Sequence, residues 1–194
     1  MHQAFSEIWG TEELWVSLDR ANMKPSAWAD KPDWQNRGMI HWDTDTSVEK
    51  VPFGVQRVLY LTDTAEDQGV FQCVVGFHRF FDEWGKTQPK DRNPRQPDLT
   101  GLEVKSIPGK AGDLLIWHWL LAHGNSHNQS DKPRVAQYIT MSPAKGCEAD
   151  ERGNGWQMCR PTPRWPGDPR DWEYQKPAVW TDLGKRLLGL EPWN

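Results

Sequence analysis

The chain has 194 residues and a net charge of −4, with 37% hydrophobic and 26% charged residues. This size suits one globular domain with its own core, so we expect residues 1–194 to form a single domain. The acidic balance argues against a surface that collects the phosphates of a nucleic acid. Neither the first residues, MHQAFSEIWG, nor any later run has the pattern of a signal peptide or the roughly 20 apolar residues of a membrane span. We therefore expect a soluble cytoplasmic protein with no nucleic-acid or membrane partner.

The cysteines are odd in number and far apart in the chain: Cys73, Cys147 and Cys159. Such spacing suits neither a disulfide framework nor a zinc cluster. We therefore expect free thiols in a reducing compartment. Cys73 lies inside a strand pattern and is predicted to be a small core residue.

The clearest elements in the first half are two apolar runs that favour strands. Residues 53–64, FGVQRVLYLTDT, combine β-branched and aromatic residues without helical spacing. Residues 65–78, AEDQGVFQCVVGFH, place an acidic, glycine-containing turn before a second run of the same kind. We expect these two segments to form an antiparallel pair.

A polar stretch follows the second strand. Residues 79–100 contain prolines at positions 89, 94 and 97, which exclude a regular helix, so we expect a long loop over one end of the fold. Within this loop lies a cluster of four cations, Lys86, Lys90, Arg92 and Arg95. Their pattern favours a solvated surface over a site for an anionic substrate.

Residues 101–142 indicate a second group of strands. The segment predicts a strand, a glycine-rich turn, a strongly apolar strand that ends at His123, a polar loop and a last strand over 134–142. Several short strands at this spacing are typical of a mainly β sandwich or jelly roll. Near the end of the chain, TDLGKRLLGLEPW predicts one short flanking helix.

A histidine and a carboxylate lie one residue apart in the segment MIHWDTDT, at residues 39–46. On a strand, His41 and Asp43 point to the same face, because side chains alternate along a strand. The pair alone is a weak signal. A metal site needs a third ligand from a distant strand.

The segment LLAHGNSHNQSDKPR supplies such a ligand, His123, and an arginine, Arg134, at the start of the next strand. Two histidines and one carboxylate on one side of a metal form the ligand set of non-haem Fe(II) oxygenases. An arginine near that iron can hold the distal carboxylate of 2-oxoglutarate through two parallel hydrogen bonds. His118 and His127 compete for the third ligand position, but the GN that follows His123 and its spacing to Arg134 favour His123. His78 is expected to cap a strand.

Four motifs resemble the phytanoyl-CoA dioxygenase family of Fe(II)- and 2-oxoglutarate-dependent oxygenases in their order and spacing. They are HWD at 41–43, LTDTAEDQGVFQCVVGFH at 61–78, AGDLLIWH at 111–118 and HGNSHNQSDKPRVAQY at 123–138. The resemblance implies a double-stranded β-helix, the cupin-like jelly roll, with the metal at its open end. Members usually carry a longer helical region before the segment that here begins IWGTEELWVSLDR. We therefore expect a short member, or one that lacks part of its pocket wall.

The resemblance also implies which residues bind the cofactors. The implied iron ligands are His41, Asp43 and His123. Arg134 is implied as the clamp on 2-oxoglutarate, with Asn125, two residues past the distal histidine, as a further contact. Gln56 is another cofactor-binding candidate, and the register of its strand decides whether its side chain faces the pocket.

The implied reaction is the oxidation of a small organic molecule by O2, with conversion of 2-oxoglutarate to succinate and CO2. Related halogenases have a small residue where this chain has Asp43, so the resemblance implies hydroxylation. Two other classes stay open from the residues alone. One is a hydrolase or isomerase that uses Zn or Mn at these ligands on a cupin-like fold. The other is a noncatalytic β-sandwich module whose tryptophans stack on a ligand such as a sugar.

Overall fold

The computed structural model describes residues 1–17, 21–28, 30–31, 38–144 and 179–193, and strands are the commonest regular element among them. The helices are α1 (His2–Trp9), α2 (Phe81–Lys86) and α3 (Asp182–Leu188), with a 3-10 turn at Phe77–Arg79. The strands are β1 (Leu14–Val16), β2 (Ala21–Lys24), β3 (Val55–Tyr60), β4 (Phe71–Val74), β5 (Val104–Ser106), β6 (Leu114–His118), β7 (His123–Asn125), β8 (Arg134–Gln137) and β9 (Met141–Pro143). Among the described residues, no helix combines the length and the apolar character needed to cross a bilayer.

Internal contacts divide the chain into two compact units, residues 1–19 with 139–194 and residues 20–138. The first unit contains α1, α3 and the antiparallel pair of β1 and β9. Helix α3 begins at a hydroxyl cap, where Thr181 Oγ1 accepts a hydrogen bond from the Gly184 amide at 3.0 Å. The helix predicted near the end of the chain is therefore confirmed.

The second unit consists of two antiparallel sheets around one core. One sheet has the strand order β2-β8-β3-β6, and the other has the order β5-β4-β7. Val58 and Tyr60 of β3 belong to the same buried cluster as Phe71 and Val74 of β4. The inward side chains of both sheets therefore exclude water together, which is the main source of stability in such a fold. The predicted mainly β jelly roll is confirmed.

Strands β3 and β4 do not pair with each other, so the expected antiparallel pair over 53–78 is wrong. β3 pairs with β6 and β8, whereas β4 pairs with β5 and β7. The intervening residues, 61–70, carry the chain between the sheets and form isolated bridges of their own, Thr64 with Gly109 and Gln68 with Asn128. The apolar pattern predicts the strands, but it does not determine which strand lies beside which.

The expected loop over 79–100 contains helix α2, so that expectation is wrong for Phe81–Lys86. The prolines begin only at position 89, beyond the helix. Asp82 lies in the first turn and Lys86 in the last, as the helix dipole favours. The rings of Phe81 and Trp84 make edge contacts with Trp42, at 5.7 and 5.5 Å between centroids. This tertiary packing stabilises a helix too short to be stable alone.

The apolar run before His123 forms two strands rather than one. β6 ends at His118, and His123 begins β7 in the other sheet after a turn over 119–122. The last strand, expected over 134–142, is divided in the same way into β8 and β9. β8 pairs within the jelly roll, whereas β9 pairs with β1. In both cases a continuous apolar pattern conceals a change of sheet.

Cys73 is a buried free thiol, which confirms its prediction as a core residue. Burial raises the pKa of its thiol to about 11, so the nucleophilic thiolate is disfavoured. Cys147 and Cys159 lie outside the described residues, as does the tryptophan- and proline-rich segment between them and α3.

Candidate metal centre

His41 and His123 are neighbours through their backbones. The His41 amide donates to the His123 carbonyl at 2.8 Å, and the His123 amide donates back to the His41 carbonyl at 3.1 Å. This isolated antiparallel bridge places the two imidazole centroids 5.0 Å apart. The fold thus brings together two histidines that are distant in the chain.

A hydrogen bond of the same kind fixes the tautomer of each imidazole. Each ring donates from Nδ1 to the carbonyl two residues earlier, Met39 for His41 at 3.1 Å and Leu121 for His123 at 2.8 Å. Because Nδ1 carries the donated proton, the Nε2 lone pair of each ring is available to a metal ion.

The Asp43 carboxylate completes a group of three possible ligands. Its Oδ1 lies 3.4 Å from Nε2 of His41, and its Oδ2 lies 3.5 Å from Nε2 of His123. In the part of the chain that the structure describes, these residues form the one group of His, Cys, Asp and Glu side chains with suitable spacing, their ligand atoms lying within 4.8 Å of one another. Contacts with His123 and then His41 lower the pKa of the Asp43 carboxyl well below its usual range. The hydrogen bond with Asp43 raises the pKa of His41, so the site attracts a cation.

The competing histidines lie elsewhere. Nδ1 of His118 accepts a hydrogen bond from the Leu120 amide at 3.0 Å, and its ring stacks on His78 at 5.5 Å between centroids. His78 itself lies in the 3-10 turn after β4. Neither of these residues nor His127 belongs to the ligand group among the described residues. The geometry therefore favours His123 as the third ligand.

Gln56 lies on the side of β3 that faces the carboxylate. Its Nε2 donates to Asp43 Oδ2 at 2.5 Å, and this hydrogen bond also contributes to the lowered pKa of Asp43. The strand register thus turns the Gln56 side chain toward the site, where its amide contacts Asp43 and can orient the carboxylate. Direct contact of Gln56 with a cofactor stays a prediction.

Arg134 is fully buried at the first position of β8. Among the described residues, none of its three guanidinium nitrogens has a hydrogen-bond partner, although the group lies 6.0 Å from the centroid of the Tyr60 ring. Burying an unpaired charge is costly, and a planar carboxylate is the anion that best matches a guanidinium. Arg134 therefore provides a place for a carboxylate inside the fold.

A second buried cation, Lys24, lies opposite Arg134, and no pattern in the sequence indicates its burial. Lys24 of β2 pairs with Arg134 in the register of the sheet and is 8% exposed. Its Nζ donates to the Ser126 carbonyl. Burial, and then the charge of Arg134, lower the pKa of Lys24 to about 8. The two cations together favour an anionic ligand. Burial of Lys24 is not predictable from the sequence, because a lysine in a short polar segment ordinarily lies at the surface.

A cavity of about 560 Å³ extends from His41 along β2. Its lining residues are Asn22, Met23, Lys24, Pro25, Gly38, Met39, His41 and Asn125. The Asn125 amide, predicted to contact the cosubstrate, lies on this cavity and donates to the Tyr138 hydroxyl at 3.1 Å. A smaller space of about 200 Å³ borders Asp43, between Thr44, Gln56 and Trp119.

A larger cavity, of about 810 Å³, lies near residues 62–65 and 108–113. It contains none of the predicted site residues. The arrangement of donor atoms, rather than cavity size, therefore locates the site.

Arg95 is exposed, as the sequence favours, and Arg92 is half-buried, but both arginines also make specific contacts. Arg92 donates to the Thr46 carbonyl at 2.6 Å, and Arg95 donates to the Asp43 carbonyl. Both guanidinium groups therefore bind the backbone of the segment that carries Asp43. Lys86, paired with Glu83, and Lys90 are exposed as expected.

Comparison with known proteins places this site in a family. The profile of the phytanoyl-CoA dioxygenase family, PhyH, matches residues 12–136. The chain belongs to this family. PhyH enzymes use Fe(II), 2-oxoglutarate and O2. The donor set and the buried guanidinium of this PhyH member fit an iron ion and a dicarboxylate.

Two curated relatives give the extent of the PhyH similarity. A Dictyostelium discoideum protein, provisionally named phytanoyl-CoA dioxygenase, is 30% identical over 180 residues, covering 74% of this chain and 51% of the relative. The ectoine dioxygenase of Bordetella bronchiseptica is 25% identical over 160 residues, covering 72% of this chain and 49% of the relative. The chain thus spans about half the length of these relatives.

Solved structures of low sequence identity share the PhyH fold. The epimerase SnoN, solved with Fe3+, alpha-ketoglutarate and nogalamycin RO, has a TM-score of 0.54 at 18% identity. The match covers 94% of this chain and 68% of SnoN. AviO1 of Streptomyces viridochromogenes has a TM-score of 0.51 at 17% identity, over 75% of this chain and 58% of AviO1. These similarities support the jelly-roll fold alone.

Proposed function

We propose that this chain is an Fe(II)- and 2-oxoglutarate-dependent dioxygenase that hydroxylates a small organic molecule in the cytoplasm. The observation that carries the proposal is the coexistence of two features in one small fold. One is the His41, Asp43 and His123 group. The other is the buried guanidinium of Arg134, whose nitrogens have no hydrogen-bond partner in the part of the chain that the structure describes. A metal site alone fits many enzymes, whereas the added buried arginine fits a cosubstrate with a free carboxylate.

Three residues would hold the iron: His41 and His123 through Nε2, and Asp43 through a carboxylate oxygen. When bound, iron and 2-oxoglutarate activate O2, one oxygen atom entering the substrate as 2-oxoglutarate becomes succinate and CO2. The chain itself orients the ligands. The carbonyls of Met39 and Leu121 fix the imidazole tautomers, so no ring has to reorient on metal binding.

The second task of the chain is to hold 2-oxoglutarate in one orientation. Arg134 would bind its distal carboxylate, and Lys24 would add a second positive charge close by. Asn125, on the same cavity as His41, would donate a further hydrogen bond to it. A carboxylate that offsets two buried cations binds more tightly than one at a solvated surface.

The third task is to exclude water from the reacting groups. Phe71 stacks on the His123 ring at 5.8 Å between centroids, and Trp117 lies at 4.9 Å from it. These rings cover the side of His123 that faces the core. The space beside Asp43 is bordered by Thr44, Gln56 and Trp119 and would admit the substrate. Asp43, in place of a small residue, favours hydroxylation over halogenation.

An anaerobic titration tests this proposal. The apoprotein is titrated with Fe(II) and then with 2-oxoglutarate, and the weak visible charge-transfer band of a chelated keto acid is recorded. We expect the band in the parent chain and its loss in Asp43→Ala. The matched control is Asp45→Ala, since Asp45 lies in the same segment but bonds only to Ser47 among the described residues.

Different outcomes separate the proposed reaction from the other classes. Metal binding without the band, in the presence of saturating 2-oxoglutarate, would refute the oxygenase and favour a metal-dependent hydrolase or isomerase. Binding of a ligand such as a sugar with unchanged affinity after a chelator has removed the metal would favour the noncatalytic module. Turnover of 2-oxoglutarate in Asp43→Ala at the parent rate would also refute the proposal.

A further inference from the structure

Asp43 lies between the regular elements of the chain. The backbone bridge ends at His41, and the next strand, β3, begins at Val55. The Gln56 amide of β3 holds the carboxylate, but the main chain at Asp43 depends on other contacts for its position. Those main-chain contacts come from the loop over 92–96, which follows α2.

This loop holds the backbone on both sides of Asp43. The Trp42 amide donates to the Arg95 carbonyl at 2.9 Å, and the Thr46 amide donates to the Pro94 carbonyl at 3.2 Å. The Arg95 guanidinium donates to the carbonyl of Asp43 itself. The residue before Asp43, Asp43 and a residue shortly after it are thus all bonded to one loop.

Arg92 anchors the loop to the core. It donates to the Thr46 hydroxyl at 2.8 Å and to the Thr46 carbonyl at 2.6 Å. Its Cζ also lies 5.4 Å from the Trp84 ring centroid and 5.9 Å from that of Trp42. Cation–π contacts of this kind fix a guanidinium that would otherwise be mobile. The guanidinium of Arg92 therefore packs on the buried ring of Trp42 and the partly buried ring of Trp84, and it also binds the segment that carries Asp43.

We propose that Arg95 is a positioning residue for the metal centre and that Arg92 supports it. Arg95 would fix the main chain at Asp43, so that the carboxylate meets both imidazoles in a single orientation. The inference rests on the proposed function, because positioning has a consequence only if Asp43 binds a metal. It assigns these arginines to the metal centre rather than to an anionic substrate, since their guanidinium groups already donate to carbonyls.

The test compares three variants with the parent chain: Arg95→Ala, Arg95→Lys and Lys90→Ala. Lysine retains the positive charge and an N–H donor group at position 95. Lys90→Ala removes an exposed cation two residues before this loop, for which the structure describes no side-chain partner. Each apoprotein is titrated with Co(II), whose visible absorption reports the coordination geometry, and its thermal unfolding is recorded without metal.

We expect Arg95→Ala to bind Co(II) about ten- to a hundredfold more weakly than the parent chain. This is the range typical of losing a hydrogen bond that orients a metal-binding residue. Its Co(II) spectrum should also change. Arg95→Lys should recover part of the affinity, and Lys90→Ala should behave as the parent chain does. This pattern would support positioning, because the lysine rescue and the spectrum report geometry.

Two results would overturn the inference while leaving the proposed function intact. The first is parent-like Co(II) affinity in Arg95→Ala. The second is weaker binding that follows only the loss of thermal stability, with an unchanged spectrum of the bound metal, since that would mean a structural role. Absence of Co(II) binding in the parent chain would refute the proposed function, and the inference with it.

Discussion

Replacing Arg134 by methionine tests two effects of this residue separately. One is its effect on the free energy of unfolding of the apoprotein, and the other is its role in binding 2-oxoglutarate. Arg134 is 0% exposed, and its guanidinium nitrogens have no hydrogen-bond partner in the described structure. Methionine has a similar length and adapts its shape to fill a core. The substitution therefore removes a buried charge while leaving little empty space. We expect Arg134→Met to be more stable than the parent apoprotein and unable to bind 2-oxoglutarate.

The magnitude follows from the cost of an unsatisfied buried polar group, about 1–3 kcal/mol. In a chain of this size, 1 kcal/mol shifts Tm by about 2–4 °C, so the variant should unfold about 2–12 °C higher than the parent chain. Saturation with 2-oxoglutarate should instead stabilise the parent chain relative to the variant. At a 2-oxoglutarate concentration of about 100 times Kd, the parent chain with its metal should gain about 2.7 kcal/mol, and the variant should gain nothing.

Thermal unfolding of both proteins, with metal and over a range of 2-oxoglutarate concentrations, measures the two effects together. Arg134→Lys is the matched control. It keeps the positive charge but lacks the planar fork, so it should bind 2-oxoglutarate weakly and show no gain in apoprotein stability. Succinate, which retains a distal carboxylate but lacks the keto group, serves as a second ligand.

Two results would refute this reasoning. A lower Tm of the Arg134→Met apoprotein, without loss of secondary structure, would mean that the guanidinium stabilises the fold rather than straining it. An undiminished Tm shift of the variant with 2-oxoglutarate would mean that the carboxylate binds elsewhere.

Three further predictions concern neighbouring residues. The pKa of Lys24 in the folded chain is lowered from 10.5 to about 8. Between pH 8 and 10.5 the unfolded chain therefore binds more protons at Lys24 than the folded chain does. Because of this difference, the contribution of Lys24 to the free energy of unfolding rises with pH in this window. Lys24→Met should remove that rise when unfolding is compared from pH 8 to 10.5, and equal pH slopes would contradict it. Gly124→Ala should weaken metal binding, because the new Cβ would lie 2.1 Å from the Met39 carbonyl, which orients His41. A Co(II) affinity equal to that of the parent chain would contradict this prediction. Gln56→Leu should weaken metal binding about tenfold or more by freeing the carboxylate of Asp43, and unaltered Co(II) affinity would exclude this role.

The group of His41, Asp43 and His123 could be predicted because metal chemistry restricts the residue types that such a site uses. The HWD segment, a later histidine and a following arginine form a set that has few other uses, and the fold brings His41, Asp43 and His123 together. Lys24 could not be predicted in this way. Its burial arises from the pairing of β2 with β8, and a lysine in a short polar segment carries no local sign of that pairing.

The strands were predicted more successfully than their partners. The apolar runs at β3, β4 and β6 are visible in the sequence, because burial demands apolar residues there. The change of sheet between His118 and His123 is not visible, since both sheets bury the same kind of side chain. The role of Arg95 is hidden for a related reason, because a cation that donates to a backbone carbonyl looks in sequence like any solvated arginine.

The hydrogen bonds between the His41 and His123 backbones have a consequence for divergence within the family. Main-chain groups make these bonds, so most substitutions in the surrounding walls leave the spacing of the two histidines unchanged. The space beside Asp43, where the proposed function places the substrate, has walls at Thr44 and Trp119, which contribute no atom to that bridge. In the proposed enzyme, point mutations in these walls can therefore change substrate preference while the spacing of His41 and His123 persists, which allows one scaffold to serve many substrates.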